Sequence, residues 1–193
     1  IQDWLDVDQP DFGHLLDDMV IENGGALSAD RLLQPRAEAE LAFVLGEPLA
    51  GPGTTSVDVL RATDFVLPAI EIIDSRITDW EITYEDTVAD NASSGMFVLG
   101  STPVRLDGLD LRLAGMSLKQ NGHVVSTGTG AACLGHPVNA VVWLANTVGK
   151  LGSQLEPGHI VLSGALGPAV DIDAGDWLSA HISGVGSVRT RIF

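Results

Sequence analysis

A ten-residue segment with two acids embedded among apolar side chains, residues 36–45, constrains the fold of this chain more than any other feature. It reads Arg-Ala-Glu-Ala-Glu-Leu-Ala-Phe-Val-Leu, a pattern that favours a β-strand. Side chains two residues apart in a strand point to the same face of the sheet. Glu38 and Glu40 therefore share one face, and Leu41 and Phe43 share the other.

A second apolar segment, residues 65–74, carries a third acid, Glu71. An unpaired carboxylate inside such a strand is costly to bury. A divalent cation removes that cost, and a ligand set of oxygens alone favours Mg²⁺, Mn²⁺ or Ca²⁺ over Zn²⁺. Convergence of Glu38, Glu40 and Glu71 predicts a site for a hard cation.

The same spacing allows a second interpretation, in which no metal binds. Glu38 and Glu40 would then face water from an edge strand, and Glu71 would pair with an arginine such as Arg36 or Arg76. Spacing alone does not decide between the two interpretations.

Composition limits the classes of partner. The chain has 193 residues, 10 basic against 26 acidic, and a formal charge of −16, so binding to a phosphate backbone or an anionic membrane surface is unfavourable. A single cysteine, Cys133, excludes an internal disulfide and fits a cytoplasmic location. The length suits one domain over residues 1–193. Because the sequence begins at Ile1, we expect the full-length protein to carry a further N-terminal segment.

Turn, capping and periodicity signals predict the remaining elements. Little regular structure is expected over residues 1–30, and Pro68 suggests an edge or bulge position in the second strand. The other expected elements are a helix over 57–62 capped by Ser56, a polar loop over 86–95, a strand over 96–100, a hairpin of 109–119 with 123–127, a helix over 137–151, and strands over 160–163, 177–182 and 186–192. Strands dominate, which predicts an α+β fold with a mixed or antiparallel sheet curled into a barrel-like roll.

Other polar positions are ambiguous when taken alone. The loop over 86–95 could present hydroxyls and backbone N–H groups to an anionic ligand, or its side chains could bond their own backbone. The glycines of 164–167 could let the backbone approach a small ligand, or serve as ordinary turn residues. Asp11 would by default be a solvated turn acid, and Cys133 has only its proximity to His136 to favour a nucleophilic role.

Several motifs in the right order resemble the fumarylacetoacetate hydrolase superfamily, over about residues 7–193. They are Gln-Pro-Arg-Ala-Glu-Ala-Glu at 34–40, Leu-Pro-Ala-Ile-Glu-Ile-Ile-Asp-Ser-Arg-Ile at 67–77, Asp-Thr-Val-Ala-Asp-Asn-Ala-Ser-Ser-Gly at 86–95, Leu-Gly-His-Pro at 134–137 and Gly-Val-Gly-Ser-Val at 184–188. Within that superfamily the chain is most similar to the 2-hydroxypenta-2,4-dienoate hydratase branch, to which the 4-oxalocrotonate decarboxylases are near relatives.

The resemblance implies a mixed β-roll with flanking helices, and it implies roles for individual residues. Glu38, Glu40 and Glu71 would bind Mg²⁺ or Mn²⁺. Catalytic roles fall to Asp11 and Ser93, and substrate binding to Ser94, Gly164 and Leu166. The expected partners are a small 2-hydroxy-dienoate or 2-oxo acid, further copies of the chain in a homo-oligomer, and a neighbouring pathway enzyme.

The activity implied is metal-dependent addition of water to 2-hydroxypenta-2,4-dienoate, which gives 4-hydroxy-2-oxopentanoate in the meta-cleavage catabolism of aromatic compounds. The alternatives are a 4-oxalocrotonate decarboxylase and a non-catalytic homologue that binds 2-oxo acids. One departure motivates the last alternative: family members carry a stretch resembling Gly-x-Lys-Val-Gly-Leu, with a catalytic lysine, upstream of the position of Asp11, and this sequence starts after that point. The His and Glu pair of the fumarylacetoacetate-cleaving branch is not found.

Overall fold

A computed structural model describes residues 10–193 of the chain. Three α-helices lie in this range, α1 (Ser56–Ala62), α2 (Tyr84–Ala89) and α3 (Pro137–Lys150). The strands are β1 (Val20–Ile21), β2 (Ala26–Leu27), β3 (Arg36–Leu45), β4 (Thr63–Ile73), β5 (Ser94–Leu99), β6 (Gly115–Gln120), β7 (His123–Thr129), β8 (Ile160–Leu162), β9 (Val170–Asp171), β10 (Trp177–Ile182) and β11 (Gly186–Ile192).

The strands form two mixed sheets. The first has the order β1-β5-β4-β3-β8, with β9 also paired to β3, and the second has the order β2-β11-β10-β6-β7. Most pairs are antiparallel, whereas β1 with β5 and β2 with β11 are parallel. Over the described residues neither sheet closes on itself, so the predicted α+β class is confirmed and the roll is a pair of open sheets, not a closed barrel.

The main hydrophobic core lies between the sheets and α3. Alternate residues of β3, among them Leu41 and Phe43, pack there with Ile70 of β4, Leu178 of β10 and Val141 of α3. All of these side chains are fully buried. Because odd-numbered positions of β3 are committed to this core, the even-numbered positions, which include both acids, must face the other side of the sheet.

One predicted helix start is confirmed, and a second is displaced by one residue. The ring of His136 accepts a hydrogen bond from the Val138 N–H (3.1 Å), and Pro137 is the first residue of α3. Proline suits this position because the first helical N–H has no intrahelical partner. Helix α1 is capped by Thr55, one residue before the predicted Ser56, and Asp58 completes a reciprocal capping box.

The prediction of a loop over residues 86–95 is wrong. Thr83 and Asp86 form a capping box that starts α2, and a 3-10 helix over Asn91–Ser93 follows before β5 begins at Ser94. Small and polar side chains dominate this segment, so it lacks the apolar periodicity that signals a helix. The capping pair Thr83–Asp86 was the available signal, because a hydroxyl residue followed three positions later by an acid is typical of a helix start.

Two strand predictions also need correction. The strand predicted over 109–119 is confined to Gly115–Gln120. Pro68 lies in neither an edge strand nor a bulge, because β4 is flanked by β3 and β5. It is tolerated because the ladder with β5 ends there: the carbonyl of Pro68 accepts from the Gly100 N–H (2.7 Å), and regular pairing begins at Ala69 with Leu99.

Helices capable of crossing a lipid bilayer do not occur in residues 10–193, where none is both long and apolar enough.

Candidate metal centre

The register between β3 and β4 brings the three acids together. The strands are antiparallel, with Glu38 opposite Glu71 and Glu40 opposite Ala69. The small side chain of Ala69, opposite Glu40, leaves space beside the carboxylates. One carboxylate oxygen from each of Glu38, Glu40 and Glu71 lies within 4.8 Å of the others, so the group could hold a metal ion.

Burial rules out the interpretation in which the acids face water. Strand β3 lies inside the sheet, between β4 on one side and β8 and β9 on the other. Glu38 is 8% exposed and Glu40 is 1% exposed. The arginines proposed as partners for Glu71 are paired with other acids, Arg36 with Asp171 and Arg76 with Asp90, each at 2.8 Å.

Burial and crowding raise the pKa values of all three acids. Burial, reinforced by the charge of Glu71, raises the pKa of Glu38 to about 7. Burial is also the largest cause of the raised pKa of Glu40 and of Glu71. Carboxylates this close cannot all ionise without a compensating charge.

One oxygen shows that the group is incomplete when ionised. Glu40 Oε1 is buried and has no hydrogen-bond donor. A proton shared between Glu40 and Glu71 would satisfy it, as would a divalent cation. The cation also neutralises the remaining carboxylates, which a single proton cannot do. An all-oxygen set of this kind suits Mg²⁺, Mn²⁺ or Ca²⁺.

Two neighbouring groups fix the orientation of the carboxylates. The Ser94 hydroxyl donates to Glu71 Oε1 (2.9 Å), and the Gly164 N–H donates to Glu40 Oε2 (2.8 Å). Such outer hydrogen bonds orient metal ligands and raise their affinity for metal. Ser94 and Gly164, for which the resemblance implies contact with substrate, are therefore in direct contact with the acids.

Asp11 and Ser93 lie near the acids and are joined through Thr87. The Thr87 hydroxyl donates to Asp11 Oδ2 (2.9 Å), and the Ser93 hydroxyl lies 3.4 Å from that of Thr87. The charge of Asp11 contributes to the raised pKa of Glu38 and of Glu71. Asp11 is half-buried, whereas Ser93 is fully buried.

Leu166 packs into the main core beside β3. Its side chain is fully buried in the main core, and its N–H donates to the carbonyl of Ala39 (3.0 Å). The side chain and the N–H of Leu166 are therefore both engaged, and its contact with a substrate stays a prediction.

Cys133 is a poor nucleophile in this fold. Its thiol is buried and donates to the carbonyl of Ser163 (2.9 Å). Burial raises the pKa of Cys133 to about 12. The thiolate needed for attack is therefore almost absent at neutral pH.

Sequence reasoning assigns no role to Tyr84 or Thr87, and it places Asn91 only among the polar residues of the loop predicted over 86–95. Thr87 and Asn91 lie inside that predicted loop and Tyr84 lies just before it, and the partners of all three lie 74 to 77 positions earlier in the chain. The only available signal was that hydroxyl and amide side chains cluster in this segment.

Comparison with known proteins agrees with this geometry. The family model described as fumarylacetoacetate (FAA) hydrolase C-terminal matches residues 3–193. The chain is 56% identical over 191 residues to a 2-keto-4-pentenoate hydratase of Paraburkholderia xenovorans (strain LB400), an alignment that covers 99% of this chain and 71% of that protein. It is equally similar, with the same coverage, to 2-keto-4-pentenoate hydratase 3 of Pseudomonas putida.

A solved structure shares both the fold and part of the sequence. The 4-oxalocrotonate decarboxylase from Pseudomonas putida G7, complexed with magnesium and adipate, superposes with a TM-score of 0.95 at 37% sequence identity. The match covers 100% of this chain and 73% of that one. Sequence and fold agree over nearly the whole length, and the chain belongs to the fumarylacetoacetate hydrolase family.

Proposed function

We propose that the protein is a divalent-metal-dependent hydratase that adds water to 2-hydroxypenta-2,4-dienoate and forms 4-hydroxy-2-oxopentanoate. The observation that carries the proposal is the cluster of two buried acids, Glu38 and Glu40, with the partly buried Glu71, in which one Glu40 oxygen has no donor. The hydratase names of the relatives at 56% identity support the reaction class.

The proposed metal ligands are Glu38, Glu40 and Glu71, and the proposed ion is Mg²⁺, with Mn²⁺ as the alternative. Mg²⁺ is usually bound by a few carboxylates together with water and substrate oxygens, which fits an open set of three acids. When bound, the ion would act as a Lewis acid toward the carboxylate and C2 oxygen of a 2-oxo acid. Ser94 and Gly164 would hold Glu71 and Glu40 in orientation for it.

Asp11 is the proposed acid–base group. Protonation of the dienol at C5, with loss of the proton from the C2 hydroxyl, gives an unsaturated 2-oxo acid. Water then adds across the C3–C4 bond: its oxygen bonds to C4, and C3 receives a proton. Asp11 lies next to the acid cluster and is only half-buried, so its carboxyl could exchange protons with a bound substrate.

Ser93 is proposed to act indirectly. Because the residue is fully buried and its hydroxyl lies beside Thr87, it would support Asp11 through Thr87 without touching substrate. A single catalytic domain over residues 1–193, homo-oligomeric assembly, association with a neighbouring pathway enzyme and a cytoplasmic location remain predictions.

Decarboxylation of 4-oxalocrotonate is the second candidate, and the close structural similarity to a decarboxylase favours it. Its substrate has a second carboxylate that needs a cationic partner. Arg36 and Arg76, which lie near the acid cluster in the described range, already pair with Asp171 and Asp90. Because both arginines are already neutralised by acids, and because the chain is more identical in sequence to the hydratases than to the decarboxylase, the hydratase is favoured.

Incubation of the protein and Mg²⁺ with each substrate tests the proposal. A hydratase consumes the dienoate, forms 4-hydroxy-2-oxopentanoate and releases no CO₂. Release of CO₂ from 4-oxalocrotonate, with no hydration of the dienoate, would instead establish the decarboxylase. Metal-dependent binding of a 2-oxo acid without turnover of either substrate would indicate a non-catalytic homologue.

A further inference from the structure

We infer that Thr87 and Asn91 are positioning residues that hold Asp11 against the acid cluster, and that they act through a rigid segment formed by residues 84–94. The inference rests on the proposed function, in which Asp11 transfers protons. It extends that function to two side chains to which the resemblance assigns no role.

Three side chains of the 84–94 segment form hydrogen bonds to Asp11 and to the backbone on both sides of it. The Tyr84 hydroxyl donates to the carbonyl of Pro10 (3.0 Å), and the Thr87 hydroxyl donates to Asp11 Oδ2 (2.9 Å). Asn91 binds the backbone of His14 twice: Oδ1 accepts from its N–H (2.7 Å) and Nδ2 donates to its carbonyl (3.0 Å). The Asp11 carboxylate is therefore held directly, and its backbone is fixed on either side.

The fit between the two segments is close. A Cβ atom placed on Gly13 would lie 2.2 Å from the carbonyl oxygen of Asn91, a distance that no side chain tolerates. Glycine at this position lets residues 10–14 lie flat on the turn at Asn91. The contact therefore fixes the backbone beside Asp11 as well as its side chain.

The turn that carries Asn91 is strained. Asn91, Ala92 and Ser93 have φ values of 57°, 56° and 55°, which are left-handed conformations in three consecutive residues other than glycine. Each such residue costs about 1 kcal/mol or more. A strained turn persists only where its surroundings enforce it, and this one aims the Asn91 amide at His14 and the Ser93 hydroxyl at Thr87.

The other end of the segment is attached to the proposed metal ligands. Ser94 donates to Glu71, and the carbonyl of Ser93 accepts from the Asp74 N–H (2.7 Å). Arg76 pairs with Asp90 and donates to the carbonyl of Ser94 (2.9 Å). One continuous segment thus contacts the proposed proton-transfer group at Thr87 and a proposed metal ligand at Ser94, which fixes the position of Asp11 relative to the cluster.

The direction of the hydrogen bonds gives Thr87 a specific task. A hydroxyl has one proton to donate, and that of Thr87 goes to Asp11. Thr87 therefore cannot donate to Ser93, whose own hydroxyl lies 3.4 Å from the Thr87 hydroxyl and 3.5 Å from Asp90 Oδ2. Thr87 is fully buried, so water cannot replace its hydroxyl when that hydroxyl is removed.

Thr87→Val tests this task, because it keeps the shape of the side chain and removes the donor. We expect kcat for dienoate hydration to fall about 10–100-fold with KM changed less than threefold, because a misplaced proton-transfer group slows chemistry more than binding. Thr87→Ser restores the hydroxyl and should recover kcat to within about threefold. Calorimetric Mg²⁺ affinity should stay the same in both variants, since neither touches the three acids.

Asn91→Gly tests the hydrogen bonds to the His14 backbone without adding strain, because glycine adopts the left-handed conformation freely. We expect the His14 amide, which Asn91 binds, to exchange with solvent at least about fivefold faster, and kcat to fall. Ala92→Gly is the matched control, since it makes the same kind of change at the next left-handed position without removing a hydrogen-bonding side chain. It should leave both measurements unchanged.

The outcomes separate this inference from the proposed function. If the unaltered protein hydrates the dienoate and Asp11→Asn is impaired, yet Thr87→Val keeps wild-type kcat, the positioning role is wrong and the hydratase stands. If Thr87→Val and Thr87→Ser are equally impaired, the hydroxyl is not what matters, and the role is again wrong. Absence of turnover in the unaltered protein contradicts the proposed function and the catalytic part of this inference together, and the exchange rate of the His14 amide still shows whether Asn91 grips that segment.

Discussion

Glu38 of β3 lies directly across from Glu71 of β4, carboxylate beside carboxylate, in the interior of a sheet. Like charges directly opposite each other on neighbouring strands are destabilising. Most cross-strand pairs stabilise a sheet, whereas this one weakens it until a cation or protons intervene. The arrangement therefore makes the stability of the protein depend on metal and on pH.

Divalent metal is expected to stabilise the folded protein. Ligand present at one hundred times its dissociation constant adds about 2.7 kcal/mol to the free energy of unfolding. For a domain of this size that corresponds to a rise in Tm of about 5–10 °C. Differential scanning calorimetry of the metal-free protein at pH 8, with and without Mg²⁺, measures the shift, and chelation should reverse it. An equal shift in Glu71→Gln would show that the ion binds elsewhere.

The metal-free protein should become less stable as pH rises from about 5 to about 7.5. The pKa of Glu38 is about 7 in the folded state against an ordinary value of 4.5, so the folded state binds more protons in this interval. The free energy of unfolding then falls with increasing pH, and the raised pKa values of Glu40 and Glu71 act in the same direction. Denaturant titrations across this interval measure the slope.

Glu38→Gln isolates that slope from opposing groups. The pKa of His136 is lowered, mainly by burial. Protonation of His136 therefore destabilises the folded protein as pH falls, which partly masks the opposite effect of the acids. The difference between the unaltered protein and Glu38→Gln removes this contribution. Without metal at pH 8, the variant should be more stable by up to about 3 kcal/mol, the free energy that corresponds to a rise in pKa from 4.5 to about 7. Glu47→Gln, at an exposed position, should change neither stability nor slope.

Ser94→Ala should weaken Mg²⁺ binding about tenfold and leave the fold intact. The substitution removes the hydroxyl that donates to Glu71 Oε1, and loss of such an outer hydrogen bond typically costs 10–100-fold in metal affinity. Isothermal titration calorimetry gives the dissociation constant. Ser153→Ala is the control at an exposed turn. Unchanged affinity in Ser94→Ala would mean that the hydroxyl does not orient a metal ligand.

Gly164→Ala should lose both stability and metal affinity. Gly164 has φ +92° and its N–H donates to Glu40, so a side chain there strains the backbone that supports the ligand. Gly175, with φ +97° and no heavy atom within 4 Å of an added Cβ, is a matched position away from the acids. Gly175→Ala should lose a similar amount of stability, about 1 kcal/mol, with unchanged Mg²⁺ affinity. A parallel loss of affinity in both variants would assign the effect to strain alone.

The sequence was most informative where side-chain geometry is set locally. Alternation along residues 36–45 places Glu38 and Glu40 on one face whatever the rest of the chain does, because the period of a strand is fixed by its backbone. Burial of that strand follows from its apolar positions. The α+β class and the helix from Pro137 also rest on local patterns.

The parts that escaped prediction depend on contacts between distant residues. The convergence of Glu38 with Glu71 was predicted, but their exact register was not, because the pairing of β3 with β4 is set across the intervening α1 and its loops. The hydrogen bonds from Thr87 and Asn91 to residues 11–14 join positions far apart in the chain. Three left-handed residues in a row have no sequence signature outside glycine and asparagine. Helix α2 is stabilised by tertiary contacts and a capping box and has no apolar stripe, so hydrophobic periodicity does not predict it.

Crystals of the protein grown with Mn²⁺, with data collected at the manganese absorption edge, test the central claim most directly. We expect a single strong anomalous peak between the carboxylates of Glu38, Glu40 and Glu71, at ordinary metal–oxygen distances from at least one oxygen of each. Hydratase activity in a protein whose only manganese peak lies elsewhere, or whose three carboxylates point away from one another, would contradict the account.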